Sequence, residues 1–113
     1  MKTLPIDWAR RPANKSMEAH VVEAIARRRR QMLIHSCIYY TLNEAIIDDN
    51  TWQKWANQLV RLHAKFGSRI GFYDSAFADW DGSTGYHLPF DTEVVRVARR
   101  LLDDVLETRR MCS

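Results

Sequence analysis

HSCIYYTLNEAIIDDNTWQKW, residues 35 to 55, decides the fold of this chain. Tyr39 and Tyr40 close one apolar run of helical spacing, and Asp48-Asp49-Asn50 opens the next with carboxylates that can take orphan backbone N–H groups. The residues between are too few for anything but a turn, so the two helices must pack as an antiparallel hairpin. That turn is expected to bring Tyr39, Tyr40, Asp49 and Trp52 near one another.

Toward the N-terminus, Met17 to about Asn43 holds no Gly or Pro, and Val21, Val22, Ile25, Met32, Leu33, Ile34, Cys37, Ile38, Tyr40 and Leu42 recur at helical spacing. The spacing predicts one long helix of roughly seven turns. Ser16 is its expected N-cap, with Glu18 in the first turn at the positive helix end. Its second half is apolar nearly all round and should form the buried centre of the fold. Toward the C-terminus, Asp49 is the expected N-cap of the second helix. Trp52, Trp55, Leu59, Leu62 and Phe66 then mark one stripe, and Gly67 supplies a left-handed stop.

Farther out the character changes on both sides. Residues 1–15 carry Pro5, Pro12 and Asn14 and read as an arm whose alternating Leu4, Ile6 and Trp8 lie partly against the core. Residues 68–90 hold Gly71, Gly82 and Gly85 among Phe72, Tyr73, Phe77, Trp80 and Tyr86, with turn dipeptides at Asp81-Gly82 and Thr84-Gly85. An ordered aromatic-rich loop or a short β-hairpin is expected there. Asp91 should cap a last helix, Thr92 to about Arg110, with Val94, Val97, Ala98, Leu101, Leu102, Val105 and Leu106 on its core face. The expected fold is one mainly α domain. Its parts are the arm 1–15, a helical hairpin 16–66, the loop 67–90 and a C-terminal helix 91–111.

Composition narrows the function classes. With 113 residues there is room for one modest core. No apolar run approaches the ~20 residues of a membrane span, and the opening MKTLPIDWARRP lacks the apolar core of a signal peptide. A cytoplasmic location is the expectation, with Cys37 and Cys112 as free thiols. His20, His35, His63 and His87 are too scattered to suggest a metal centre. Asp74, Asp79 and Asp81 share a loop without calcium-loop spacing, so turn capping is the simpler reading. The net charge is +3, and the basic residues cluster at Arg10-Arg11, Arg27 to Arg30, Arg99-Arg100 and Arg109-Arg110. Clustered Arg can attract nucleic acid or an acidic protein face. Arg27, Arg28, Arg29 and Arg30 span a whole helical turn, however, and point all around its axis, as solvated side chains also would.

His35-Ser36, Ile38-Tyr39-Tyr40, Leu42-Asn43, Ile47 and Asp49-x-x-Trp52 together resemble the N-terminal helical subdomain of bacterial NAD-dependent DNA ligases. They look closer still to small free-standing "DNA ligase-related" proteins of phages and prophages. The likeness runs without a gap from about Arg30 to Leu62, and Asp81 to Pro89 is similar to the phage relatives as well. The resemblance implies that Tyr39 and Tyr40 meet the nicotinamide ring of NMN or NAD and that Asp49 meets its amide or ribose side. An aromatic face does hold a flat pyridinium, and a carboxylate accepts from an amide or diol. Where the ligases place Tyr and then Asp, this chain has Trp52 and Gln53, which lose a hydroxyl and a charge. Contacts from that turn should therefore be weaker. The Lys-x-Asp-Gly motif that ligases adenylate has no counterpart, since Asp79-Trp80-Asp81-Gly82 offers Asp in place of Lys. The expectation is a protein that is not an enzyme and needs no cofactor.

Three functions stay open on the sequence. The leading one is a phage-type protein acting in a bacterial host by contact with a protein partner, as an accessory or anti-defence factor. Phe72, Tyr73, Phe77, Trp80 and Tyr86, with Arg69 beside them, would be its surface, because exposed aromatics bordered by Arg have the composition of an interface hot spot. The second is a binding module for NMN or NAD-like ligands at Tyr39, Tyr40, Asp49 and Trp52. The third is a DNA- or RNA-binding module using Arg27 to Arg30.

Overall fold

A computed structural model describes residues 18–112, so the arm and Ser16 lie outside the described residues. The chain is mainly helical, as the periodicity requires. Helix α1 is Ala19–Tyr40, α2 is Asp49–Phe66, α3 is the single turn Asp74–Phe77, and α4 is Thr92–Cys112. Hydrogen bonds between α1 and α2 pair Arg28 with Gln58, Arg29 with His63 and Ser36 with Trp52. Residues 28 and 29 of α1 meet 58 and 63 in the second half of α2, whereas residue 36 near the end of α1 meets residue 52 near the start of α2, which makes the hairpin antiparallel. Helix α1 is the middle element, with α2 and α4 each packed on it.

The C-terminal half of α1 is the buried centre: Met32, Leu33, Ile34, Cys37 and Ile38 are all buried. Against them lie Ala56 and Leu59 of α2 and Val94, Ala98 and Leu102 of α4. Removing a buried Leu side chain at such a site typically costs about 2–5 kcal/mol. Among the described residues, no helix is long and apolar enough to cross a membrane. Cys37 is buried, Cys112 is exposed, and both are free thiols.

Helix boundaries depart from the expected ones for local reasons. Helix α1 begins at Ala19, and Glu18 is its N-cap in extended conformation rather than a first-turn residue. It ends at Tyr40, three residues before Asn43, because Asn43 turns left-handed (φ 58°). That turn lets the Glu44 N–H donate back to the Ile38 carbonyl at 3.1 Å. Asn is among the few side chains that tolerate this conformation. At α2 the N-cap is Asp48, not Asp49: its carboxylate accepts the Thr51 N–H at 2.7 Å. Asp49 is thereby the first residue of the helix. Gly67 stops α2 with φ 95°, and Asp91 caps α4 by accepting the Val94 N–H at 2.9 Å.

No strand forms among the described residues, so the alternative of a β-hairpin in residues 68–90 gives way to a loop around α3. A side chain of α1 organises it. Arg29 is fully buried and donates to Asp74 at 2.7 Å, to the Phe72 carbonyl at 2.6 Å and to the Ser68 carbonyl at 2.8 Å. Asp74 in turn accepts the Ile70 and Gly71 N–H groups. Buried charge is costly unless paired and hydrogen-bonded, and here the demands are met by the loop together with His63 of α2. The loop's second half returns to the hairpin at two glycines. A Cβ on Gly82 would lie 2.9 Å from Val60, and one on Gly85 would lie 2.0 Å from the Ser36 hydroxyl. Only a residue without a side chain lets the backbone approach α2 at Gly82 and α1 at Gly85 so closely.

Candidate functional site

Where α1 ends and α2 begins, the chain encloses a cavity of about 240 Å³. Its walls come from four pieces: His35, Ser36, Tyr39 and Tyr40 of α1; Ala45 to Ile47 of the turn with the N-cap Asp48; Asp49, Trp52 and Gln53 of α2; and Ser83 to Gly85 of the loop. Tyr39, Tyr40, Asp49 and Trp52, anticipated to lie together, all line it. Their convergence follows from the boundaries described above. The early end of α1 places the tyrosines at its last turn, and capping by Asp48 leaves Asp49 facing outward.

The aromatic rings are fixed in orientation. Tyr39 and Tyr40 meet edge to face at 4.9 Å, and Tyr40 meets Tyr86 in the same way at 5.3 Å. Tyr39 and Tyr86 remain 55% and 62% exposed, so the cavity has an open tyrosine rim. The Tyr40 hydroxyl is 3.1 Å from the Thr84 hydroxyl. Trp52 is a wall: its indole N–H donates to Ser36 Oγ at 3.2 Å, tying α2 to α1. Gln53 donates to the Gly82 carbonyl at 3.0 Å and to Asn57. The two positions that depart from the ligase pattern are thus engaged in bracing the hairpin and the loop.

Polar groups stay available around this frame. The Asp49 carboxylate has no hydrogen-bond or ion-pair partner among the described residues. The Thr51 N–H holds the Asp48 carboxyl below its ordinary range. His35 stacks beside Trp55 at 5.5 Å, and its Nδ1 is buried with no hydrogen-bond partner. Burial keeps the His35 imidazole below its ordinary pKa and therefore neutral near pH 7. A buried polar atom without a partner is uncommon and invites a ligand group or water. The arrangement can hold a flat ring against tyrosine and offer it a carboxylate acceptor. Among the described residues, no group of His, Cys, Asp and Glu could hold a metal ion.

The loop aromatics do not form one exposed surface. Phe77 is 1% exposed and packs between Arg29 (5.3 Å) and Trp80 (5.1 Å). Trp80 is half-buried with its indole N–H on the Thr84 carbonyl at 2.7 Å. Phe72 lies under the Arg30 guanidinium, and the Tyr73 hydroxyl donates to Asp91 at 2.6 Å. Tyr86 and Arg69 are exposed. The apolar rings entered the core because a loop this long must bury them, and Arg29 supplies the anchor.

The Arg27 to Arg30 run divides in the same manner. Arg29 points inward and cannot touch nucleic acid. Arg28 lies over Trp55 and donates to Gln58 and Gln31, Arg30 covers Phe72, and Arg27 is exposed. The sequence carried a signal for this. Ile25, Arg29, Met32 and Ser36 fall at steps of four, three and four, so Arg29 sits inside the apolar stripe. His35, Ser36, Thr84 and Gly85 were not anticipated as cavity residues, although His35-Ser36 belongs to the ligase-like pattern.

Compared with known proteins, the chain matches no family model, no curated protein and no solved structure.

Proposed function

We propose that the chain is a non-catalytic binding module whose cavity takes a flat, cationic heteroaromatic ring of the nicotinamide mononucleotide kind. One observation carries this reading: Tyr39 and Tyr40 from α1 and Asp49 and Trp52 from α2 line a single cavity with the Asp49 carboxylate unpaired. A pyridinium is attracted to an aromatic face by about 0.5–2 kcal/mol, more when the site excludes water. Asp48 and Asp49 add negative potential at the mouth, and His35 forms part of the wall. The cavity is smaller than the ~300–1,000 Å³ of most ligand sites, so it accommodates the ring and part of the ribose rather than a dinucleotide.

Titration calorimetry with NMN, NAD and ADP-ribose tests this. Heat with the two nicotinamide-bearing ligands and none with ADP-ribose is expected. Silence at millimolar ligand, or equal heat from ADP-ribose, removes the reading.

A second reading is contact with a protein partner of a phage or its host through the tyrosine rim. The exposure of Tyr39 and Tyr86 favours it, since clustered exposed tyrosines are typical interface anchors. Pull-down from a bacterial lysate, with and without Tyr86→Ala, checks it: a stoichiometric partner lost in the variant supports contact through the rim.

A further inference from the structure

We infer that the outer seam between α1 and α2 is a docking surface for the phosphodiester backbone of a nucleic acid duplex. No Asp or Glu occurs from Ala24 to Asn43 or from Asn50 to Phe66, so two helices lie side by side through long stretches without a carboxylate. On the α2 side, Lys54, Gln58, Arg61 and Lys65 follow at steps of four, three and four and share one face. Across the seam, Arg28 joins Arg61 and Lys65 around a shallow groove of about 470 Å³, and Arg27, next to Arg28 in the chain, is exposed.

These cations lack internal partners of opposite charge. Arg29 pairs with Asp74, and Arg96 with Glu93 on α4, whereas Arg27, Arg28, Lys54, Arg61 and Lys65 make no ion pair among the described residues. Burial above all, and then the neighbouring Arg27 charge, weaken the hold of Arg28 on its proton. An external polyanion would offset the Arg27 repulsion.

The pattern favours a phosphate backbone over an acidic protein. From Lys54 to Lys65 the stripe is roughly 16 Å long at ~1.5 Å per residue. That length matches the axial rise of about five base pairs of a duplex at ~3.4 Å each. The exposed groups along the stripe are Lys54, Arg61 and Lys65, side chains that contact phosphate, while Leu62 and Phe66 in the groove are half-buried and no aromatic anchor of the kind protein interfaces use is exposed there. Such contacts position a duplex without reading its sequence.

Fluorescence anisotropy of the full chain with a labelled duplex of about 20 base pairs, from roughly 50 to 200 mM salt, tests the inference. Affinity should fall steeply with salt, with a log–log slope of about −3 to −4 for four or so neutralised phosphates. Arg61→Glu with Lys65→Glu, both exposed, should weaken binding at least tenfold and make the slope shallower by about two. Arg99→Glu with Arg100→Glu on α4, where Asp103 and Asp104 lie alongside, should do much less. Circular dichroism confirms that the variants fold. No anisotropy change at the lowest salt overturns the inference, as does equal loss from the two charge-reversed pairs. Displacement of the duplex by polyglutamate as effectively per charge as by unlabelled duplex assigns the seam to an acidic protein instead and also overturns it.

Discussion

Arg29 donates to the Asp74 carboxylate across 2.7 Å with none of its own side chain exposed, and this contact joins the middle of α1 to the loop that closes the fold. The remaining guanidinium hydrogens reach the carbonyls of Ser68 and Phe72 and Nε2 of His63. Burial alone would raise Asp74, but the Arg29 side chain and the Gly71 and Ile70 N–H groups outweigh it and hold the carboxyl below its ordinary value. One charged side chain thus replaces the β-hairpin or apolar cluster that would otherwise order residues 68–77.

Removing the anchor should therefore cost more than trimming its partner. Arg29→Ala strands the loop carbonyls and Asp74 without donors, and a loss of about 3–5 kcal/mol is expected. Asp74→Asn leaves the two carbonyls in place on a partly exposed side chain and should cost about 1–2 kcal/mol. Urea denaturation followed by circular dichroism measures both. Equal losses would mean that the carboxylate, rather than the set of acceptors, fixes the arginine.

His63 makes stability depend on pH. Burial, then the Arg29 charge, hold its pKa down to about 4, with Asp74 opposing. An unfolded histidine titrates near ~6.5, so on acidification the unfolded chain takes up the proton first. Stability should be full above about pH 6.5, decline towards pH 4 and lose no more to His63 below that. At most about 3 kcal/mol is at stake. Buried His35 contributes with the same sign in the window below its unfolded value. His63→Gln keeps an acceptor for Arg29 and should flatten most of the slope in urea midpoints measured across that range. An unchanged slope would place the titration elsewhere.

Gly85 sets how closely the loop covers the cavity. An added methyl meets Ser36 Cβ at 2.7 Å as well as its hydroxyl, and the helix backbone behind Ser36 cannot yield. Gly85→Ala should cost about 1–3 kcal/mol by overpacking. It should also loosen the Tyr40–Thr84 contact at the cavity wall. Thermal unfolding reads the cost, and Ser36→Gly in the same chain should recover part of it.

Gln53 offers a milder lever on the same wall. Its amide is the contact from α2 to the Gly82 carbonyl, and Gln53→Ala should cost about 1 kcal/mol or less while raising hydrogen exchange in residues 82–86. Unchanged exchange there would show that Gly82 packing against Val60 is sufficient.

The hairpin was legible because apolar periodicity, paired aspartates and Gly67 all point to the same two helices. The meeting of Tyr39, Tyr40, Asp49 and Trp52 followed from the short turn. The choice between Asp48 and Asp49 as N-cap was not legible, since adjacent aspartates are equivalent in sequence and only the turn geometry selects one. The loop was misread for a different reason. Aromatic residues flanked by Arg suggest an exposed patch, but the buried guanidinium of Arg29 draws Phe77 and the Phe72 carbonyl inward, a long-range contact with no local pattern. Its trace was an arginine standing in an apolar stripe.

The central claim, a cavity selective for a nicotinamide-type ring, is tested most directly by following the tryptophan indole N–H and histidine ring resonances during titration with NMN. Trp52 and His35, which line the cavity, should shift saturably and more than Trp80, which does not, and Tyr40→Ala should reduce affinity about 2- to 30-fold, the equivalent of ~0.5–2 kcal/mol. No shift at millimolar NMN, or shifts confined to residues along the Arg28–Lys65 seam, would contradict the account.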